Sequence, residues 1–457
     1  MYTGKELLRP ALMTDLYQLT MAAGYCLSGA DSEAVFELSV RSLPGDRSYL
    51  LAAGLEQAVE YILNLRFGPE EIEWLRTLPP FRKTPEAFFS FLAGFRFSGD
   101  LWAVPEGSLV FAREPILQVR APLPQAQILE TFLLSTVHLQ TLVATKASRV
   151  VQAAQGRAVL EFGSRRAHGP EAGVLAARAS FIGGCTGTSN LWAARAFGIA
   201  AVGTAAHSWT LAFPSEPEAF QRYRDLFPET TVLLIDTYDT LQGVRNAVRF
   251  GGDLKAVRID SGNLLAESRE VRRILDEAGF GRTQIIGSGD LNEYRIRDLV
   301  EAGAPIDLFG VGTEMVTSRD CPALGMVYKL VELEEGGRAV YRAKLSEGKE
   351  TYPGRKQIWR FRDEQGSYRR DEIGTPEERP AGAIAPVLIP IIERGTLRYL
   401  FPRLAEVREY ALAEQARLPR QIRRLGTEDR YPVEWSATLE GRFRQARANV
   451  PSPLPRP

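Results

Sequence analysis

Between about residues 155 and 330, short runs of Val, Ile and Leu recur, each followed by Gly, Ser, Thr or Asp and then by a segment with helical spacing. The runs are AVLEF (158–162), GIAAV (198–202), TVLLI (231–235), LKAVRI (254–259), TQIIG (283–287) and PIDLFGV (305–311). Their starts lie 22 to 40 residues apart, the length of a β-strand plus its returning helix. Because the runs do not alternate apolar with polar residues, they predict strands buried on both faces, as in a parallel sheet. The intervening segments carry helix signals: Asp290 with Glu293 reads as a capping box for Leu291–Ala302, and Gly303 as its stop. Ala266–Ala278 ends at Gly279 in the same way, and Ser189 can cap a short helix running to Phe197. These units predict an irregular α/β barrel, with an open doubly wound sheet as the structural alternative.

The flanks have a different rhythm. Residues 326–375 alternate apolar and charged positions around Glu335-Gly336-Gly337, which predicts an antiparallel sheet with a hairpin turn there. Residues 1–125 and 331–440 are expected to form a second α+β domain from both chain ends, with the barrel over 126–330 and a Pro-rich tail over 441–457. A chain of 457 residues, 45% hydrophobic and 25% charged, is long enough for both bodies.

Lys and Arg number 56 and Asp and Glu 56, so no basic excess argues for a nucleic-acid partner. The three cysteines, Cys26, Cys185 and Cys321, stand far apart, which argues against disulfides and thiolate metal sites. The opening MYTGKELLRPALMTD has no long apolar run, so no secretory signal is expected. The uncharged stretch Ala196–Ser215 holds glycines, hydroxyls and His207 and does not read as a membrane span. A cytoplasmic enzyme is the resulting expectation.

In an α/β barrel, functional residues collect where strands end. After the successive runs stand GSRRAHG, GTAAHS, DTYDT, DSGN, SGD and GTEM, all polar or glycine-rich. Glycines let backbone N–H groups approach an anion, Asp236, Asp260 and Asp290 suit ribose hydroxyls or hydrated Mg²⁺, and Arg165, Arg166 and Arg258 suit carboxylate or phosphate. A sugar phosphate accounts for all three residue types. Asp290 also reads as a simple helix cap, and Asp260 as a turn former. Among three histidines, His138 sits in the apolar stretch ETFLLSTVHLQTLVATK and reads as a satisfied core residue, while His168 follows two arginines in a loop. His207, in GTAAHSW just past a strand end, is the candidate for chemistry. Cys185 reads as a small buried thiol. No GxxxxGK[ST] or HExxH string is present.

TDLYQLTMAAGY (14–25), EFGSRRAHG (161–169), GTAAHSW (203–209), LIDTYDT (234–240), VRIDSGN (257–263), GSGDLNEY (287–294), FGVGTEM (309–315) and PGRKQIWR (353–360) together resemble the nicotinate phosphoribosyltransferase family. The resemblance implies an irregular α/β barrel, a second domain, and a homodimer with shared active sites. It implies an ATP-coupled, ligase-type reaction of nicotinate with 5-phosphoribosyl-1-diphosphate in NAD biosynthesis, with Mg²⁺ and a transient phosphohistidine. Carried over by motif, His207 corresponds to the phosphorylated histidine and Asp236 to the carboxylate that orients it. Tyr17, Arg165 and Thr186 correspond to nicotinate contacts, Tyr17 from the partner subunit. Arg258, Asp260, Ser261, Gly289, Asp290, Gly312 and Thr313 correspond to contacts of the phosphoribosyl diphosphate. Related sequences often carry Asp where Thr186 stands, and a neutral Thr suits an anionic carboxylate better. Rival readings are a nicotinamide phosphoribosyltransferase, a barrel lyase with a Schiff-base lysine, and a non-catalytic metabolite-binding protein. No strand end offers a lysine for the second, since Lys255 lies early in its strand.

Overall fold

The arrangement of the predicted strands decides between the two parallel-sheet alternatives. In the computed structural model, which describes residues 10–448 except 31, 45, 250, 252 and 253, six parallel strands form one sheet. Their order is Gly187–Thr188, Ala158–Glu161, Leu308–Val311, Gln284–Gly287, Ala256–Ile259, Val232–Leu234. From Val232 onward each strand pairs with its successor in the chain, and the last returns beside the first (Leu308 opposite Ala158, Val311 opposite Glu161). A doubly wound sheet reverses direction outward from its first strand, so this cyclic order is that of a barrel. The seam lies between Ala201, which bridges Thr188, and Val232.

Five of the six apolar runs contain a strand. The exception is GIAAV (198–202), which contributes only the Ala201 bridge to Thr188, and the two-residue strand Gly187–Thr188 stands between it and Ala158–Glu161. Val and Ile are scarce in that piece, so no apolar run announced it. The helix predicted over Leu291–Ala302 spans Glu293–Glu301, and Asn292, not Asp290, accepts from the Tyr294 and Arg295 N–H groups. Likewise Asn190, not Ser189, caps Leu191–Phe197.

The chain divides into two units, one of residues 142–322 and 404–412 holding the barrel, the other of 1–141, 323–403 and 413–457. The boundary near 141 falls inside the long helix Glu130–Ala153, later than the expected 125. Residues 404–412 group with the barrel because Arg408 donates to the Gly184 and Cys185 carbonyls. The other unit carries a seven-stranded sheet assembled from both chain ends, including Glu33–Val40, Asp100–Ala103, Pro115–Pro122, Met326–Glu335 and Ile389–Glu393. Glu335 pairs with Arg338 across Gly336 and Gly337, whose φ of 57° and 73° are those of a two-residue hairpin turn. Residues expected to begin the tail are helical to Ala448 (Ala437–Ala448), and the end of that tail lies outside the described residues. Among the described residues, no helix is long and apolar enough to cross a membrane.

Candidate active site

The strand ends of the barrel unit converge on two adjoining cavities. One, of about 300 Å³, is lined by Ser189, residues 203–207, Leu234, Arg258 and Asp260. The other, of about 260 Å³, is lined by Arg166, Ser288, Gly289, Asp290, Gly310, Gly312 and Thr313. Phe162, Arg165, Arg258 and Asp260 line both. His207 therefore shares a wall with the glycine-rich strand ends.

Arg258 organises that wall. Its Nε donates to Ser288 Oγ at 2.8 Å, Nη1 to Thr204 Oγ1 at 2.9 Å and Nη2 to Asp260 Oδ1 at 2.6 Å. Its guanidinium also lies 5.3 Å from the centre of the Phe162 ring. Ser288 Oγ donates to Asp260 Oδ1 at 2.6 Å. Burial pushes the Asp260 carboxyl upward, but Arg258, the Ser288 hydroxyl and the His207 ring outweigh it, leaving Asp260 below its ordinary range. It is thus an ionised acceptor at the junction of the cavities.

The second cavity depends on close backbone approach. Gly289 has φ +89°, and a Cβ there would lie 1.8 Å from the Asp260 carbonyl oxygen. Asp290 follows with φ 47°, unusual for a residue with a side chain. A Cβ on Gly310 would meet the Phe162 ring at 2.6 Å, and Gly312 opens the short helix Thr313–Val316. Below this loop, buried Glu293 anchors the chain, with Lys146 Nζ 2.5 Å from Oε2 and Arg149 Nε 3.0 Å from Oε1.

His207 opens the helix His207–Leu211, which is pinned by Trp209 Nε1 donating to the Ala219 carbonyl at 2.9 Å. Its Nδ1 lies 3.2 Å from Thr237 Oγ1. Asp236, expected to hold the imidazole, is engaged elsewhere: Oδ2 accepts from Asp260 N–H at 2.9 Å and Ser261 Oγ at 2.6 Å. Its Oδ1 is buried without a hydrogen-bond partner among the described residues.

Thr186 stands apart from both cavities. Its N–H and hydroxyl both donate to the Val159 carbonyl, two residues before the end of the neighbouring strand. Three residues on, Ser189 N–H bonds the Glu161 carbonyl at the strand end, and Ser189 lines the cavity. Tyr17, half exposed, lies in the other unit on the helix Leu16–Ser28. His138 Nε2 accepts from the Leu324 N–H at 2.9 Å, and burial pushes the Cys185 thiol up, so both are structural. His168 is exposed and lines neither cavity.

Several participants had not been named from sequence: Phe162, Ser189, Thr204, Thr237, Ser288 and Glu161. The last is buried, accepts from the Gly163 N–H and from Thr188 Oγ1, and so ties together two strand-end loops. Its position directly before Phe162 in EFGSRR was the available signal.

Residues 12–138 match the nicotinate phosphoribosyltransferase N-terminal domain, and residues 143–321 match the quinolinate phosphoribosyl transferase C-terminal domain. A nicotinate phosphoribosyltransferase of Mycobacterium tuberculosis is 45% identical over 96% of this chain and 94% of its own length. That of Bacillus subtilis is 37% identical over 97% of each. The crystal structure of human nicotinic acid phosphoribosyltransferase superposes with a TM-score of 0.84 at 29% identity, covering 95% of this chain and 99% of that one. The chain belongs to the nicotinate phosphoribosyltransferase family.

Proposed function

We propose that this chain joins nicotinate to 5-phosphoribosyl-1-diphosphate in NAD biosynthesis, giving nicotinate mononucleotide and diphosphate, with ATP hydrolysis coupled through phosphorylated His207. The observation that carries the reading is the pair of adjoining cavities sharing Arg165, Arg258 and Asp260. One is framed by glycines that admit an anion to the backbone, and the other contains the histidine. Arg165 has no acidic partner among the described residues and is the free cation for the nicotinate carboxylate. Ser189, which lines this cavity, adds no negative charge beside that carboxylate, which favours nicotinate over nicotinamide.

In the transfer step the pyridine nitrogen attacks the anomeric carbon while the bond to diphosphate breaks, and the electron pair leaves with diphosphate. Arg258 and the N–H groups around Gly289 and Gly312 meet the phosphates, and Asp260 and Ser261 meet the ribose. Phosphorylation of His207 proceeds by attack of its Nε2 on the terminal phosphorus of ATP, with ADP taking the electron pair, and water later releases phosphate. Among the described residues, no cluster of three or more His, Cys, Asp or Glu could hold a metal, so the donor set suits Mg²⁺ arriving on diphosphate. Ionised Asp260, with Asp290, would hold it or its waters, and when bound it supplies charge neutralisation to the leaving group. The enzyme acts as a homodimer in the cytoplasm, with Tyr17 of one protomer stacking on nicotinate held by its partner.

Diphosphate release measured with nicotinate and with nicotinamide, each with and without ATP, tests the reading, alongside ³¹P detection of phosphohistidine. Nicotinate preference, ATP stimulation and a phosphohistidine absent from His207→Ala support it. Preference for nicotinamide, or equal ATP stimulation of His207→Ala, overturns the corresponding part.

A further inference from the structure

We propose that Thr237 is the positioning residue for His207: its hydroxyl accepts from Nδ1–H, holding the ring as the tautomer whose bare Nε2 faces the cavity. The inference rests on the proposed role of His207 as phosphoryl acceptor, and it reassigns the orienting task from Asp236.

The geometry favours the hydroxyl. Thr237 Oγ1 is the group recorded beside the ring, 3.2 Å from Nδ1, and Nε2 has no hydrogen-bond partner among the described residues. Asp236 already serves the next strand end, accepting from Asp260 N–H and Ser261 Oγ. The Thr237 loop is held on both sides. Asp236 ties it to residues 260 and 261, and Asp239 accepts from Gln242 N–H at 2.7 Å to cap the helix Thr240–Val248. That helix packs so closely that a Cβ on Gly243 would lie 1.9 Å from the Ile235 carbonyl oxygen. On the opposite side, Trp209 fixes the helix that carries His207. Two anchored elements thus set ring and hydroxyl against each other.

The chemical consequence differs from that of a carboxylate. A carboxylate behind an imidazole accepts only, and its charge favours the imidazolium. A hydroxyl adds no charge and can either accept from Nδ1–H or donate to a bare Nδ1; the accepting arrangement is the one proposed, since it leaves Nε2 bare for phosphoryl transfer. Asp260, whose carboxylate interacts electrostatically with the ring, lines the same cavity.

The test combines ¹⁵N NMR of the imidazole nitrogens with ³¹P kinetics of phosphohistidine formation, in the parent, Thr237→Val and Thr237→Ser. Only three histidines need assignment. In the parent, above the titration of the ring, Nδ1 is expected protonated and Nε2 bare. Thr237→Val is expected to mix the tautomers, shift the pH profile of phosphorylation and slow it about 10- to 100-fold, the usual effect of losing an orienting partner. Thr237→Ser, which keeps the hydroxyl, is expected to restore parental behaviour. An unchanged tautomer and rate in Thr237→Val overturns the proposal, as does a parent ring protonated on Nε2. If ATP phosphorylates no histidine, the phosphohistidine reading falls, and the tautomer measurement still decides the role of Thr237.

Discussion

Two arginine–carboxylate networks, one in each unit, use nearly the same parts to opposite ends. In the barrel unit, Arg258 and Asp260 are 12% and 28% exposed and border open cavities. In the other unit, Arg360, Asp371 and Glu414 are 4%, 0% and 4% exposed, and their charges face one another. Arg360 makes a forked contact with Asp371, Nη2 to Oδ2 at 2.7 Å and Nε to Oδ1 at 3.0 Å, and spends Nη1 on Glu414 at 3.3 Å. Tyr431 donates to Asp371, and Tyr368 and Arg417 donate to Glu414. A network that satisfies itself fixes a fold, whereas one that leaves acceptors and glycine-lined space uncovered can receive a ligand.

The sharpest way to break this contrast is Arg360→Leu. Removal of Arg360 strands Asp371 as a buried charge and leaves Glu414 only the part-exposed Arg417, 3.0 Å from its Oε1, a loss of about 3–5 kcal/mol. The urea midpoint of the variant should fall accordingly. A midpoint near the parent's would mean that the network is hydrated in solution and is not the closed device described.

Arg258→Leu tests the other side and should do the reverse. Stability should stay near the parent's, while kcat/KM for the diphosphate substrate falls about 100- to 1000-fold, the scale for one lost electrostatic donor at a reacting centre. A large loss of stability with undiminished activity in the molecules that remain folded would place Arg258 with the structural arginines.

This difference was only partly legible from residue order. Arg258 and Asp260 were readable because they stand just past an apolar run, and strand ends are where a barrel exposes side chains. Arg360 lies inside such a string, PGRKQIWR, yet its strand Gln357–Arg362 is nearly all buried, so motif membership did not separate ligand contact from scaffold. The hydroxyls escaped notice for another reason. Thr204, Thr237 and Ser288 act through the direction of one short side chain, which no spacing encodes, whereas an arginine advertises itself by charge. Thr186 and Ser189 differ by three positions along one loop, but a two-residue strand between them carries the second to the cavity and leaves the first behind. The capping misreading near Asp290 has a similar origin. Asn292 is an equally good cap two residues later, and Asp290 adopts positive φ to shape the loop instead.

The smallest expected effect concerns Glu114, a third acid beside the closed network. It accepts from the Phe111 N–H at 2.8 Å through one oxygen, while the other is buried with no donor of its own. Burial, and then the adjacent charge of Asp371, raise its carboxyl well above the ordinary value of 4.5. Arg360 opposes that rise without cancelling it. Glu114 therefore keeps its proton in the fold, and that proton gives its second oxygen a partner in Asp371. The sign follows from linkage. Below 4.5 both folded and unfolded chains hold the proton and Glu114 adds no pH dependence. Above it the unfolded chain releases the proton and the folded chain does not, so stability falls with rising pH by up to about 1.4 kcal/mol per unit. Glu114→Gln carries a neutral amide at every pH and should remove this slope. Urea midpoints at pH 6 and pH 8 should show the variant gaining on the parent at the higher value. A constant difference between them at both would mean that Glu114 is ionised in the fold, and that the buried network holds more negative charge than Arg360 can balance.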